Sequence, residues 1–446
     1  MSLREKTIKT VCLCAIALWW LPVSAQDFYS EEYMREEQEF EFHGDIENRC
    51  WQLFNNSVKE FIPEACEECR ANIEEFAKRG DVRDRLLSEL DSYRCDVRGK
   101  PFRQPDGISG WSLFMDQDAI VFDKVTDLNE DRNYTLGLGV SLTGAAFRKD
   151  NFFFADWLAK IDSMLGIYKR KKPCLRNTDM LCDKSHPLER INSFDFGMTA
   201  FTPGDLEDEN PIPGDRPHAA LIFAATSRML AFNDDTAIKT RLVFGMLGLS
   251  VAKDLQRYLH NDVGLSKKDP RGWGNQISDG GEPTGLYSVE GTRLLRKHRG
   301  DTMDYDLSVT ASGSVGYYVD AAVGADFRMG HVRSPYYAHS ANPLSVYNHG
   351  NCVPCRAKDS YFFLSYRARI VLYNAFLQGQ FRDSAIEMEN GEVERLLHEA
   401  GFGYTHHFSE GFQLSYALNY KSPEFKGVER REHYWGGLYF SWNFEQ

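Results

Sequence analysis

The sequence predicts an all-β transmembrane barrel of antiparallel strands, and three observations support this prediction. The chain begins like an exported protein, and after Trp111 apolar residues alternate with small or polar residues over stretches of about ten positions. No later segment has the roughly 18 continuous apolar residues that a membrane helix needs. Strands of about ten residues with one apolar face are typical of outer-membrane barrels, and aromatic residues, 13% of the chain, flank many of them.

The export prediction depends on the first 25 residues. A basic start is followed by an unbroken apolar stretch over residues 11–23, and Ala25 completes a small-residue cleavage pattern. This order is typical of a secretory signal peptide. Its removal takes away three basic residues and one acidic residue, which changes the net charge from −13 to −15. An acidic exported protein of this kind is not expected to bind nucleic acid.

Residues 26–105 differ from the rest and predict a helical extension before a barrel over 106–446. Apolar residues recur at helical spacing from Val58 to Leu90, and Gly80 interrupts them, which favours a helical hairpin. Export also favours disulfides among the eight cysteines that follow the signal peptide. Cys174 with Cys182 and Cys352 with Cys355 are the economical pairs. The other four allow three connectivities, and the extension could bind a periplasmic or surface partner.

The period of two is clearest near the end of the chain. Over 412–420, apolar residues occupy the even positions, and Gln413, Ser415, Ala417 and Asn419 occupy the odd ones. Similar alternation occurs over 136–143, 307–329 and 438–444, with a turn expected in the middle of 307–329. A soluble β-sandwich would also alternate. The length of the strands and the small polar residues on the second face favour the barrel, because a soluble sheet would expose charges there.

Three segments carry residues that could catalyse a reaction. Asp116 and Asp118 lie on a first strand that is expected to end near Phe122, and Thr135 lies in an acidic segment that leads into the next strand. Gln256 and His260 are four residues apart in a helical stretch over 252–260, so they share one face of the helix. A histidine beside a fixed amide can act as a general base, and carboxylate, hydroxyl and carbonyl oxygens suit calcium. Together these groups predict metal-assisted ester hydrolysis.

Each of these signals also has a simpler interpretation. An exposed loop helix explains the spacing of Gln256 and His260, and a solvated turn explains the acidic segment. His218 is interpreted as a structural residue.

Several segments, in this order, resemble the outer-membrane lipid A deacylase family, the LpxR-type calcium-dependent 3'-O-deacylases. The resemblance covers about residues 111–444. The similar segments are Tyr134-Thr135-x-Gly137, Asp215-Arg216-Pro217, Gln256-x-x-x-His260, Gly272-Trp273-Gly274-Asn275-Gln276, 315–330 and 373–379.

The resemblance implies a barrel of about twelve strands that removes an acyl chain from lipid A at its outer-leaflet end. It implies that His260 is the general base and that Gln256 is its neighbour in the site. The other implied site residues are Thr135, Gly137 and Tyr134 in the calcium and oxyanion region and Asp118, or Asp116 in the alternative frame, as the calcium carboxylate.

The sequence also departs from the family pattern. Gln117 stands where the family has an asparagine, and residues 205–210 are acidic where a family lysine is expected. A non-catalytic barrel, acting as a scaffold or receptor, is therefore the alternative function. A soluble periplasmic β-protein is the alternative fold.

Overall fold

The computed structural model of the chain describes residues 108–117, 133–148, 151–167, 189–232, 235–258, 270–300, 303–332, 334–338, 359–408 and 411–443. The predicted signal peptide, the helical extension and every cysteine lie outside these residues, and so do Asp118 and His260. These predictions stay predictions. Within the described ranges, no helix is long and apolar enough to cross a membrane.

Twelve antiparallel strands form one closed barrel, in which each strand neighbours the next and the last pairs with the first. The predicted fold class and the predicted number of strands are confirmed. The strands are β1 (Ile108–Gln117), β2 (Asn133–Gly144), β3 (Glu189–Thr202), β4 (Ala219–Ala231), β5 (Thr236–Leu247), β6 (Glu282–His298), β7 (Asp304–Gly316), β8 (Tyr318–His331), β9 (Ser360–Asn374), β10 (Leu396–His407), β11 (Phe412–Lys421) and β12 (His433–Asn443).

The predicted alternation separates the two faces of this barrel. In β11, Gln413, Ser415 and Asn419 are buried in the interior, whereas Leu418 is exposed on the outer wall. The turn expected within 307–329 lies at Tyr317, between β7 and β8. Apolar side chains can face lipid without cost, and closure of the barrel leaves no backbone edge unpaired.

Ion pairs fill much of the interior, so the inner face is not the lining of an open pore. Examples are Asp195 with Arg241 at 3.4 Å, Asp326 with Arg367 at 2.7 Å and Arg369 with Glu399 at 2.9 Å. These side chains are nearly fully buried. A charge removed from water in this way is tolerated only beside an opposite charge.

The even number of strands places both ends of the barrel sequence at one end of the barrel, here called the termini end. The opposite end is called the far end. The termini end carries α1 (Phe153–Leu165) in the connection from β2 to β3. The far end carries α2 (Val251–Arg257) between β5 and β6 and the single turn α3 (Ala375–Gln378) between β9 and β10.

Two of the predicted elements differ in their bounds. β5 ends two residues earlier than the predicted strand over 241–249, and the described part of the predicted helix over 252–260 is α2. The chain turns back at Gly248, which has a φ of 79° and whose N–H donates to the carbonyl oxygen of Ala220 at 2.8 Å. A Cβ at this position would lie 2.0 Å from the carbonyl oxygen of Ser278. Only glycine allows this turn, which directs α2 back across the wall.

Candidate active site on the outer barrel wall

Helix α2 lies on the outer face of β2, β3 and β4 at the far end. Ala252 packs with the outward-facing side chains of Leu136, Ala200 and Ala220, and Trp273 joins the same cluster. The helix therefore covers a patch of wall that would otherwise face lipid. The side chains beneath it are buried although they lie outside the barrel.

Gln256 is the polar side chain of α2 that this packing buries, with 4% of its surface exposed. The indole Nε1 of Trp273 donates to its Oε1 at 2.8 Å. An indole N–H can only donate, so this contact fixes which end of the amide is the oxygen. The amide nitrogen Nε2 then has no hydrogen-bond partner among the described residues. The Nε2 group of Gln256 is therefore an oriented donor at the outer wall, with no acceptor among the described residues.

Trp273 is itself held in place by a tight local turn. It is 2% exposed and begins a 3₁₀ turn directly after Gly272, which has a φ of 76°. A Cβ on Gly272 would approach the carbonyl oxygen of Asp208 to 2.7 Å and Cε1 of His218 to 3.0 Å. The glycine therefore lets the indole reach Gln256.

His218 supports the other side of the indole, with its ring 4.8 Å from that of Trp273. Burial and the positive charge of Arg216 lower the pKa of His218 to about 3. The imidazole is therefore neutral at physiological pH, and its Nε2 has no hydrogen-bond partner in the described part of the chain. The structure agrees with a structural assignment for His218.

The Asp-Arg-Pro turn anchors the connection before β4 to the loop before β12. Asp215 accepts from the N–H of Gly204 at 2.6 Å and pairs with Arg431 at 2.7 Å. Arg216 pairs with Glu424 at 3.1 Å. Burial alone would raise the pKa of Glu424, but the charges of Lys421 and Arg216 outweigh it and hold that pKa well below its usual range. This turn is a structural clamp at the far end.

Thr135 lies on the same outer face as Gln256. It is the extra residue of a bulge in β2, between Tyr134 and Leu136, and its hydroxyl lies 2.5 Å from that of Thr202. Asn133, at the start of β2, has a φ of 71°, a conformation that asparagine tolerates better than most residues. Its buried Oδ1 has no partner among the described residues.

Tyr134, Gly137 and Asp116 lie on the inner face instead. The ring of Tyr134 packs 5.3 Å from that of Trp435, and its hydroxyl donates to Asp116 Oδ2 at 3.3 Å. A Cβ on Gly137 would lie 1.9 Å from the Tyr134 hydroxyl, so this glycine makes room for the tyrosine. The Tyr134 side chain, the Cα of Gly137 and the Asp116 side chain thus face the packed interior, whereas the hydroxyl of Thr135 faces the outer wall. The assignment of Tyr134 and Gly137 to an oxyanion region and of Asp116 to a calcium site stays a prediction.

The oxygen atoms of the outer face fit calcium in type, because hydroxyl and amide oxygens are hard ligands. Thr135 supplies a hydroxyl, and Asn133 supplies an orphaned carbonyl oxygen. Within the described ranges, no group of three histidine, cysteine, aspartate or glutamate residues could hold a metal ion. Asp118, the carboxylate predicted to bind calcium, lies outside these ranges.

The sequence did not reveal the bond between Trp273 and Gln256. The two residues are 17 positions apart and lie on opposite sides of a segment outside the described residues. In the sequence, only the resemblance to the family singles out the segment 272–276. The local pattern that points to Trp273 is a tryptophan between two glycines, close to a candidate catalytic helix.

Comparisons with known proteins agree with the barrel fold. The model of a family described as outer membrane protein LpxR matches residues 105–444. LpxR from Salmonella typhimurium shares the fold, with a TM-score of 0.56 and 15% sequence identity over 75% of this chain and 100% of that chain.

Two autotransporter barrels are more distant matches. The translocator domain of NalP from Neisseria meningitidis has a TM-score of 0.31 and 10% identity over 83% of this chain and 98% of its own. The transport unit of AIDA-I from Escherichia coli has a TM-score of 0.30 and 8% identity over 80% of this chain and 97% of its own. No curated protein matches the chain.

Proposed function

Since the chain belongs to the LpxR family of outer-membrane proteins, we propose that it is a calcium-dependent hydrolase that removes an acyl chain from lipid A. The protein is an outer-membrane barrel, and its family membership supports an enzyme that modifies lipid A. The ester that is cut and the need for calcium are the finer parts of the proposal.

The observation that carries this proposal is the buried amide nitrogen of Gln256, which has no hydrogen-bond partner among the described residues. Buried polar groups in folded proteins are nearly always hydrogen-bonded, so an oriented buried donor without a partner indicates a site for a ligand. It lies on the outer wall, where the acyl chains of a membrane lipid run. We propose that Nε2 donates to the carbonyl oxygen of the scissile ester and stabilises the negative charge that develops on it.

His260 is the proposed general base. It follows Gln256 by four residues, which is one helical turn if α2 continues. The imidazole would accept a proton from water as the water oxygen bonds to the acyl carbon. The carbon–oxygen bond to the sugar then breaks, and the sugar oxygen takes the proton back from the imidazole. The products are a fatty acid and a lipid A molecule with one acyl chain fewer.

Calcium, when bound, would supply a positive charge beside the acyl carbonyl. Asp118 and Thr135 are the residues proposed to hold it. Thr135 is suited to this role because the bulge in β2 turns its hydroxyl to the outer face.

The rival function is a barrel of the same family without catalytic activity. The acidic segment 205–210 favours it, since Asp205 and Asp208 accept hydrogen bonds from nearby backbone N–H groups in an exposed turn. Residues 205–210 include no lysine or arginine, so this segment has no cation that could hold an anionic substrate. A scaffold, however, has no use for a buried amide donor such as Gln256 Nε2, which no described residue accepts from.

Fatty-acid release by the purified barrel separates the two functions. Detergent-solubilised protein is incubated with lipid A and calcium, and parallel samples contain a chelator or the His260→Ala variant. The proposal expects free fatty acid only from the unmodified protein with calcium. No release by any sample, while a known family enzyme is active in the same assay, would favour the scaffold.

A further inference from the structure

A cavity of about 340 Å³ opens beside α2, along the flank of the helix that carries Lys253 and Arg257. Its lining includes Lys253 and Arg257 of the helix and Arg271 and Trp273 of the connection that follows. Trp273 is the residue whose indole holds Gln256. One side chain therefore separates this cavity from the proposed catalytic donor.

The charge of the cavity is opposite to that of the chain as a whole, which carries −13. Lys253 and Arg257 are four residues apart on α2 and point to the same side. In the described part of the chain, neither forms an ion pair. Arg271 pairs with Glu209 at 3.3 Å, so these two charges offset each other. Among the described lining residues, the lysine and the arginine of α2 therefore leave a charge of about +2, the complement of a phosphate monoester.

Two hydrogen bonds to backbone carbonyl groups hold the walls of the cavity together. The N–H of Arg271 donates to the carbonyl oxygen of Leu206 at 2.7 Å, and Nδ2 of Asn275 donates to that of Glu209 at 2.7 Å. The connection before β4 and the connection after α2 are thus joined at Arg271 and again at Asn275. The cations belong to a formed cavity rather than to a free loop.

We propose that this cavity binds a phosphate group on the sugar headgroup of the lipid substrate, with Lys253 and Arg257 as its ligands. The inference rests on the proposed function, because it takes the substrate to be a phosphorylated glycolipid. Binding of the phosphate next to Trp273 would place the headgroup at the far end of the barrel. The acyl chains would then run down the outer wall past Gln256.

Binding measurements test this site independently of catalysis. The full-length protein in nanodiscs is titrated with lipid A carrying two phosphates, one phosphate or none. The Lys253→Gln/Arg257→Gln variant is compared with Lys426→Gln/Arg430→Gln, which removes two cations from another loop at the same end of the barrel. Heat-modifiable gel mobility confirms that each variant is folded.

We expect the α2 variant to bind phosphorylated lipid A about tenfold to a hundredfold more weakly, since charge-assisted hydrogen bonds are lost. It should bind the phosphate-free lipid as well as the unmodified protein does, and the control variant should behave normally throughout. Equal affinity of the unmodified protein for lipids with and without phosphate would overturn the proposal. So would equal losses in the α2 and control variants.

Competition distinguishes the sources of phosphate. Inorganic phosphate and phosphatidylglycerol nanodiscs are added to the bound lipid A. Weak competition by both supports a phosphorylated sugar as the ligand, whereas phosphatidylglycerol that competes as well as lipid A would overturn that assignment.

The two proposals can also fail separately. Phosphate-dependent binding without fatty-acid release supports the site and counts against the hydrolase. Fatty-acid release that does not depend on the phosphates supports the hydrolase and counts against the phosphate site.

Discussion

The helices α1 and α2 lie on the same outer wall at opposite ends of the barrel, and each buries one polar side chain against it. In α1 this residue is Asp162, which accepts from Thr240 at 2.9 Å and from Tyr287 at 2.8 Å and also pairs with Arg228. In α2 it is Gln256, whose oxygen accepts one bond and whose nitrogen has no partner among the described residues.

This difference separates a residue that attaches its helix to the wall, Asp162, from a candidate catalytic residue, Gln256. Asp162 accepts hydrogen bonds from the side chains of three strands, so it fixes α1 to the wall. The amide nitrogen of Gln256 is buried and has no acceptor in the described part of the chain, so it can donate to a ligand. Two helices with similar positions can thus have different roles, and substitutions at the two residues should affect different properties.

The largest effect on stability is expected from Asp162→Ala. This change leaves the Arg228 guanidinium on the wall without its carboxylate, and the removal of one partner of a buried pair costs about 3 kcal/mol. Unfolding of the purified barrel by denaturant measures this loss. The matched control is Asp156→Ala on the same helix, where an exposed pair with Lys160 is worth less than about 1 kcal/mol. Equal losses in the two variants would contradict the attachment role of Asp162.

The largest effect on activity is expected from Gln256→Met, which keeps the length of the side chain and removes the amide. Loss of one donor to a developing oxyanion lowers kcat by about a hundredfold or more. The rate of fatty-acid release measures it, and Leu255→Met on the same helix is the control. Stability should fall by no more than about 1–3 kcal/mol, because the buried indole N–H of Trp273 loses its acceptor. A variant that is unstable but fully active would show that Gln256 serves only the fold.

A smaller loss of activity is expected from Trp273→Phe. The aromatic ring and its packing against His218 are kept, but the amide of Gln256 loses the donor that orients it. We expect kcat to fall about tenfold, in line with the loss of one hydrogen bond. Trp157→Phe, at an exposed position of α1, should leave kcat unchanged. An equal effect of the two substitutions would argue against a positioning role for Trp273.

The smallest effect on activity is expected from His218→Gln. The pKa of His218 is lowered to about 3, so its stabilising contribution is complete above the ordinary value of 6.5. That contribution is lost as the pH falls toward 3. The variant should therefore lose less stability between these two pH values than the unmodified protein. Its activity profile between pH 6 and 8 should be unchanged, whereas a shifted profile would mean that His218 takes part in proton transfer.

The barrel could be predicted from the sequence because it depends on a local pattern. A period of two is visible in any strand of about ten residues, and the side chains of β11 lie on the faces that this period assigns. The face of Gly137 follows from the same pattern, since it alternates with the apolar residues of β2.

The candidate site could be predicted only in part. The bulge at Thr135 changes the alternation in β2, so Tyr134 faces the interior and Thr135 the outer wall. No residue type in this segment predicts a bulge. The bond from Trp273 to Gln256 depends on how two connections fold over the wall, which no local pattern contains.

Mass spectrometry of lipid A from cells that produce the protein tests the central claim most directly. The unmodified protein, His260→Ala and Gln256→Met are compared at equal amounts in the outer membrane. We predict a loss of mass equal to one fatty acyl group with the unmodified protein, and little or no loss with either variant. Unchanged lipid A in all three strains would contradict the hydrolase proposal. A full loss of mass in both variants would show that the reaction takes place without the site on the outer wall.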